Sequence, residues 1–214
     1  MANTRTVVAA ALAIVLVGVG AFSIGRLTTP VEATPSSTSA AAGFARDMQV
    51  HHDQGVELAF LIRDRTDDEQ LRTLSYDIAI AQANQSGQML GWLNIWNLPQ
   101  AAPEPSMMWM SRPPLSGATD HHGNPGASDA HQPGAPMPGL ATREQLDSLR
   151  AASGVEAEKI FLELMIAHHK GAVEMADAVL TRTDVSDVRT FATAVIAAQE
   201  SEIRYMEELL AERE

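Results

Sequence analysis

The sequence predicts an all-α fold: a four-helix bundle made of two duplicated helical hairpins, with an apolar helix ahead of it. Three observations support this prediction. Residues of high helix propensity (Ala, Leu, Glu, Gln and Met) are plentiful, while aromatic residues make up only 5% of the chain. Apolar residues recur at helical spacing over residues 39–96 and again over residues 155–212. The second stretch repeats the first, and two hairpins with apolar stripes bury them best against each other.

The N-terminal segment predicts export. Val7–Ile24 carries no charge and is nearly all apolar, and 18 such residues are the lower limit for a membrane-spanning helix. We interpret residues 1–26 as a retained single-pass anchor that leaves the bulk of the chain outside the cytoplasm, with residues 27–38 as a spacer. The alternative is a cleaved signal peptide, which would make the protein secreted. Its candidate cleavage site, Val31-Glu32-Ala33, lies far beyond the apolar run.

Local signals place the elements of the domain, residues 39–214. The first hairpin begins with a helix from Ala40 to about Arg65, and Thr66-Asp67-Asp68-Glu69 has the form of a capping box that opens the second helix. That helix runs to about Trp96. Residues 97–141 hold every proline except Pro30 and Pro35, together with Gly, Met and His, and are predicted to form a linker without regular structure.

The second half of the domain carries the same kinds of helix start and stop signals. Thr142-Arg143-Glu144-Gln145 is a further capping box, which opens a short helix over residues 142–153 that Gly154 ends. The second hairpin, residues 155–212, has one helix from about Val155 to Arg182 and another from about Asp184 to Glu212.

The two hairpins are copies related by a constant offset. His51-His52 corresponds to His168-His169, an offset of 168 − 51 = 117. The same offset relates these further pairs: Phe44 and Phe161, Met48 and Met165, Val56-Glu57 and Val173-Glu174, Arg65-Thr66-Asp67 and Arg182-Thr183-Asp184, Gln82 and Gln199, Met89 and Met206. No gap is needed, so the repeat indicates duplication rather than chance similarity between helices.

Composition excludes several classes of function. The net charge of −12 argues against a nucleic-acid ligand and suits the capture of cations. The absence of cysteine excludes disulfides, thiolate metal sites and thiol nucleophiles. No Ser-His-Asp order, phosphate-binding loop or inward pair of carboxylates indicates hydrolase chemistry, so no enzymatic activity can be assigned from the residues. A homo-oligomer is compatible with the sequence.

The histidine pairs are predicted to face the interior. At 100° per residue, Met165 lies near the middle of the apolar arc of its helix, and His168 and His169 lie about 60° to one side and about 40° to the other. The equivalent residues of the first hairpin are Met48, His51 and His52. The same spacing places Glu57 and Glu174 on the outer face, so we do not count them as ligands.

The second helix of each hairpin adds polar and soft side chains to the interior. The seam of the last helix contains Gln199 and Met206, with Glu202 at its edge. In the first copy, Gln82 and Met89 occupy the seam, and Gln85 stands in the place of Glu202.

We interpret this arrangement as a metal site, because four buried imidazoles need partners to offset their desolvation. The linker carries further soft and borderline ligands: Met107-Met108-Trp109-Met110, His121-His122, His131 and Met137. Thioether sulfur selects Cu(I) and imidazole suits copper, zinc and iron, so copper is the predicted ion ahead of zinc or iron. The alternative is a hydrogen-bonded polar layer, in which the histidines bond to Gln82, Gln199 and Glu202 and fix how the hairpins dock.

Residues 165–176, Met-Ile-Ala-His-His-Lys-Gly-Ala-Val-Glu-Met-Ala, form a recognisable signature. With Met137-Pro138-Gly139 and Gln199-Glu-Ser-Glu202-Ile-Arg-Tyr-Met206, it resembles the domain-of-unknown-function 305 family, over roughly residues 40–212. The resemblance implies a ferritin-like four-helix bundle, an extracytoplasmic setting and a role in copper binding or tolerance. The motif residues carried over by position are His51, His52, His168, His169, Met48, Met165, Met175, Gln199, Glu202 and Met206.

Two departures from the family pattern bear on the predicted ligands. Leu140 stands where the family often has a second Met after Pro-Gly, which puts one thioether ligand in doubt. Gln85 stands at the counterpart of Glu202, so we expect two unequal sites, with the C-terminal one better.

Two other functions compete with metal sequestration or transfer. A di-iron oxidase of ferritin type needs Glu-x-x-His on inward faces, and this chain contains no such motif. A scaffold or interaction domain would use the histidines as a structural or pH-responsive layer, and its stability would fall near pH 6 and ignore chelators.

Overall fold

The computed structural model describes residues 33–115 and 133–213 and is all-α. Its five α-helices are α1 (Ala40–Arg63), α2 (Glu69–Ile95), α3 (Arg143–Ala151), α4 (Gly154–Leu180) and α5 (Ser186–Ala211), and a short 3-10 helix spans Met108–Ser111. Pro35–Glu214 form one compact unit. The predicted anchor (residues 1–26) and His121, His122 and His131 lie outside the described residues. Among those that are described, no helix is both long and apolar enough to cross a bilayer.

The predicted hairpins are present. The most extensive contacts between helices join α1 to α2 and α4 to α5, and the two hairpins meet through α1 and α4. Side chains also connect α2 with α5. Near the end of α2, the ring of Trp92 lies 5.2 Å from that of Phe191 at the start of α5. At the opposite end, Arg213 donates to Asp68 over 2.8 Å and to Glu158 over 2.9 Å.

The turn inside the first hairpin differs from the prediction. Helix α1 ends at Arg63, and the N-cap of α2 is Asp68 rather than Thr66, with a carboxylate oxygen that accepts from the Leu71 N–H. The Thr66 hydroxyl donates instead to the carboxylate of Glu158 over 2.5 Å, because the second hairpin brings that buried carboxylate to the turn. A tertiary contact thus occupies the Thr66 hydroxyl, and the cap lies two residues later than predicted.

The short helix follows the prediction at one end. Thr142 and Gln145 form the reciprocal capping box. At the other end, α3 stops at Ala151, and Gly154 opens α4 instead of closing α3. Its φ of +57° favours glycine, and its N–H donates to the Arg65 carbonyl over 2.8 Å, which fixes the junction.

The described parts of the linker, residues 97–115 and 133–141, are more ordered than their composition predicts. The 3-10 helix is held by the buried carboxylate of Asp47, which accepts from the Met107 N–H over 2.7 Å and from Trp109 Nε1 over 2.9 Å. Met107 and Trp109 are themselves buried against α1. The linker thereby supplies part of the core.

The apolar core consists of two clusters. We call them the Phe44 cluster and the Phe161 cluster, after two residues related by the 117-residue offset. All four long helices contribute to each cluster. Along α1 and α4, the histidine pairs fall between the residues of one cluster and those of the other. The fold therefore places a polar layer between two apolar clusters.

Candidate functional site

The layer between the clusters is built around four histidines. Their side chains are 0% exposed, as the helical spacing predicts. The rings of His51 and His168 come from different hairpins, and their centroids lie 3.9 Å apart. Within each pair the rings are farther apart, 6.3 Å between His51 and His52 and 6.0 Å between His168 and His169. Imidazoles from both copies therefore meet in the interior.

Every one of the four rings makes a hydrogen bond through Nε2 to an oxygen atom. The partners are the Pro138 carbonyl for His51 at 3.0 Å, the Gln85 side-chain oxygen for His52 at 2.8 Å, the His51 carbonyl for His168 at 2.7 Å, and a Glu202 carboxylate oxygen for His169 at 2.7 Å. Because carbonyl and carboxylate oxygens only accept, each Nε2 must carry the proton.

The second nitrogen of each ring has no partner. Nδ1 of His51, His52, His168 and His169 is buried and makes no hydrogen bond. A neutral ring with its proton on Nε2 presents an unshared electron pair at Nδ1. Metal-binding histidines show this same division, in which one nitrogen donates to an oxygen and the other is left for the ion.

Burial favours the neutral form of three of the rings, those of His51, His52 and His168. Desolvation lowers the pKa of His51 to about 4 and that of His52 to about 3, and it lowers the pKa of His168 well below the ordinary value. The neighbouring imidazoles add to each shift. Since a metal ligates neutral imidazole, proton competition at these three rings is weak at neutral pH.

Two glutamines border the layer, and their amides are also unsatisfied. Both side-chain polar atoms of Gln82 lack a partner, as does Oε1 of Gln199. Gln82 reaches the layer across Gly55, where an added Cβ would lie 2.1 Å from Gln82 Oε1 and 2.7 Å from His168 Cε1. In the polar layer that the sequence offers as the alternative to a metal site, Gln82 bonds to a histidine, but its side chain makes no hydrogen bond in the structure. Gly55 was missed, because a missing side chain leaves no periodic signal.

The close packing at Gly55 predicts a pair of substitutions with opposite effects. Gly55→Ala is expected to lower the free energy of unfolding by about 1–2 kcal/mol, because overpacking outweighs the gain in helix propensity. Gly87→Ala is the matched control, since a Cβ on that exposed helical glycine meets nothing within 4 Å. It should raise stability by up to about 1 kcal/mol. Urea unfolding measures both, and equal stabilisation by the two changes would contradict the packing at Gly55.

The predicted thioethers belong to the two apolar clusters that flank the layer. All four are 0% exposed, with Met48 and Met175 in the Phe44 cluster and Met165 and Met206 in the Phe161 cluster. In the linker, Met107 and Met137 are buried in the Phe44 cluster. Glu57 and Glu174 are exposed. Glu57 pairs with Arg150 on the surface.

No cage of three or more His, Asp or Glu side chains stands ready for a metal ion within residues 33–115 and 133–213. The layer instead offers unpaired imidazole nitrogens from two hairpins, two amides and neighbouring thioethers. The chemistry of the four Nδ1 atoms suits metal ligation, because each is buried without a partner on a ring that Nε2 already orients through an oxygen.

The chain matches the model of the domain-of-unknown-function 305 family (DUF305) over residues 41–210. No curated protein matches it in sequence. Among solved structures, a DUF305 protein of Streptomyces coelicolor described as a candidate secreted protein is 44% identical. That match covers 83% of this chain and 96% of the other, with a TM-score of 0.70. A DUF305 fragment from Deinococcus radiodurans is 28% identical, covering 83% and 99%, with a TM-score of 0.63.

More distant similarity joins the chain to CopM. The Cu(I)-bound form of CopM is 20% identical and covers 83% of this chain and 97% of its own, with a TM-score of 0.57. CopM has also been solved with Cu(II) and with silver. At this identity the likeness establishes a shared fold.

Proposed function

Since the chain belongs to the DUF305 family, we propose that it is an extracytoplasmic protein that binds copper through its buried histidine layer. The observation that carries the proposal is the set of four buried Nδ1 atoms without partners, each on a ring whose Nε2 donates to an oxygen. Leaving four such nitrogens unsatisfied is costly, and an ion that accepts their electron pairs would offset that cost.

The surroundings of the layer favour copper. Met48 and Met165 precede the two histidine pairs by three and four residues and lie in the clusters on opposite sides of the layer. Thioether sulfur together with imidazole suits Cu(I) better than it suits zinc, because structural zinc sites use thiolate, imidazole and carboxylate ligands. Met175 and Met206 supply further buried sulfur. The copper and silver forms of CopM support the same class of ion.

The two halves of the layer are unequal. His169 bonds to the carboxylate of Glu202, whose side chain is 32% exposed, whereas His52 bonds to the amide of Gln85. A carboxylate behind a ligating imidazole raises its basicity more than an amide does. We therefore assign the tighter binding to the C-terminal half, with Gln199 beside it.

The setting of the protein is part of the proposal. We assign the bundle to the space outside the cytoplasm, in keeping with the description of the Streptomyces relative as a candidate secreted protein. The apolar run of residues 7–24 supports a single-pass anchor over residues 1–26. We further assign the four long helices to a ferritin-like arrangement in which the histidine layer occupies the middle. The resulting function is sequestration or transfer of copper.

Titration of the purified full-length chain with Cu(I) and Zn(II) tests the proposal. Wild type should bind Cu(I) more tightly than Zn(II), and His168→Ala/His169→Ala should weaken Cu(I) binding by at least about 100-fold. The matched control is a change in exposed residues, Glu200→Ala/Glu207→Ala, which leaves the layer intact. Unchanged Cu(I) binding in the histidine variant would remove the layer as the site.

A second candidate is a structural layer without metal, favoured by the hydrogen bond that every Nε2 already makes. In that case the histidines fix how the two hairpins dock. The unfolding temperature of protein purified without added metal would then be the same with and without a strong copper chelator. A shift on adding Cu(I) that the chelator reverses distinguishes the copper proposal.

A further inference from the structure

A short segment of the linker, residues 137–141, lies over the histidine layer, and we call it the strap. Its Pro138 carbonyl accepts the hydrogen bond from His51 Nε2 at 3.0 Å. The other three histidines receive their oxygen from α1, α2 or α5. His51 is thus the one member of the layer whose partner belongs to no helix.

Helix α1 holds one end of the strap through Gln54. Its side-chain amide donates to the Ala141 carbonyl over 3.0 Å, and its side-chain oxygen accepts from the Ala141 N–H over 2.7 Å. Two opposed hydrogen bonds satisfy both backbone groups of Ala141. They restrain the strap in position as well as in rotation.

Helix α4 holds the middle of the strap through close packing of backbone on backbone. A Cβ on Gly171 would lie 2.0 Å from the Pro138 carbonyl oxygen. A Cβ on Gly139, whose φ is +73°, would lie 2.2 Å from the Ala167 carbonyl oxygen. Only glycine at these two positions lets the Pro138 carbonyl lie this close to α4.

The internal duplication shows that the strap is an asymmetric addition. Gln54 and Gly171 are equivalent positions, since 171 − 54 = 117. In the first hairpin, Gln54 at this position holds the strap by hydrogen bonds. In the second hairpin, Gly171 at this position leaves space for the Pro138 carbonyl. His168, the counterpart of His51, bonds to the His51 carbonyl at 2.7 Å and needs no strap.

We propose that the strap and Gln54 are positioning elements that fix His51 as the Nε2–H tautomer. A neutral imidazole without an oxygen partner at Nε2 can carry its proton on either nitrogen, and a proton on Nδ1 would block that atom as a ligand. By holding the Pro138 carbonyl against Nε2, the strap leaves Nδ1 unprotonated. The consequence for copper rests on the proposed function, whereas the tautomer does not.

The tautomer can be measured in the metal-free full-length chain by NMR of ¹⁵N-labelled histidine. Wild-type His51 should show the proton on Nε2. Gln54→Ala releases the strap from α1, and Gly171→Ala displaces it from α4, so both should move the His51 signals toward a mixture of tautomers. His168 should keep its proton on Nε2 in both variants, because its partner is the His51 carbonyl of α1 and not the strap. Gln88→Ala and Gly87→Ala, at exposed positions of α2, are the matched controls.

Cu(I) titration of the same proteins separates the two proposals. Loss of an outer partner of a metal-binding histidine should weaken Cu(I) binding by about 10-fold or more in both variants. Wild-type His51 with its proton on Nδ1, or unchanged His51 signals in both folded variants, would overturn the positioning role. If the tautomer shifts as expected while wild type binds no Cu(I), the positioning role is supported and the proposed function alone is overturned.

Discussion

Lowering the pH from 7 to 5 is expected to destabilise the metal-free protein steeply. The pKa values of His51 and His52 fall to about 4 and about 3 on folding, and that of His168 also falls. Below pH 6.5 the unfolded chain therefore binds protons that the folded chain does not. For each imidazole that stays neutral in the folded state, the free energy of unfolding then falls by roughly 1.4 kcal/mol per pH unit. The three together lower it by several kcal/mol by pH 5.

The stability contributed by these neutral rings is complete above pH 6.5 and is lost as the pH falls toward 4. Urea unfolding of the metal-free chain between pH 7.5 and 5 measures the slope. The variant His51→Gln/His168→Gln replaces two titrating rings with amides and should show a slope smaller by up to about 3 kcal/mol per pH unit. Equal stability at pH 7 and pH 5 would show that the rings are solvated or charged in the folded state.

Copper affinity, in contrast, is expected to change little between pH 7 and pH 5. His51, His52 and His168 are already neutral over this range, so the folded protein has no protons to release from these rings when the ion binds. The copper affinity of a site made of two imidazoles with the ordinary pKa near 6.5 would fall by about 100-fold or more over the same pH range.

Competition titration with a Cu(I) chelator of known pH dependence measures this affinity. It should be done under conditions in which the protein remains folded at every pH, with circular dichroism as the control. An affinity that falls in proportion to protonation of ordinary histidines would place the ion on histidines outside the layer.

Much of the architecture could be predicted because the signals are local and repeated. The 117-residue offset required two hairpins, and the helical spacing alone placed all four imidazoles in the interior and Glu57 outside it. These features depend on periodicity within single helices. Predicting them does not require knowing how the helices pack against one another.

The seam of the last helix predicts the contact between His169 and Glu202. The partners of His51 and His168 could not be predicted, because they are backbone carbonyls of residues far away in the chain. The bond between His51 and Pro138 spans 87 residues and runs to a backbone carbonyl, which carries no sequence signal. The position of the strap depends on two glycines whose role appears only when backbones meet. Likewise, Asp47 gave no sign that it would hold the linker through Met107 and Trp109.

The claim at the centre of this account is that imidazoles of both hairpins hold the ion through Nδ1. The most direct measurement is an anomalous difference map at the copper edge from crystals of the copper-loaded protein. We expect a copper peak about 2 Å from Nδ1 of both His51 and His168, with their Nε2 bonds retained. Copper bound only outside the layer, with all four rings as in the metal-free protein, would contradict it.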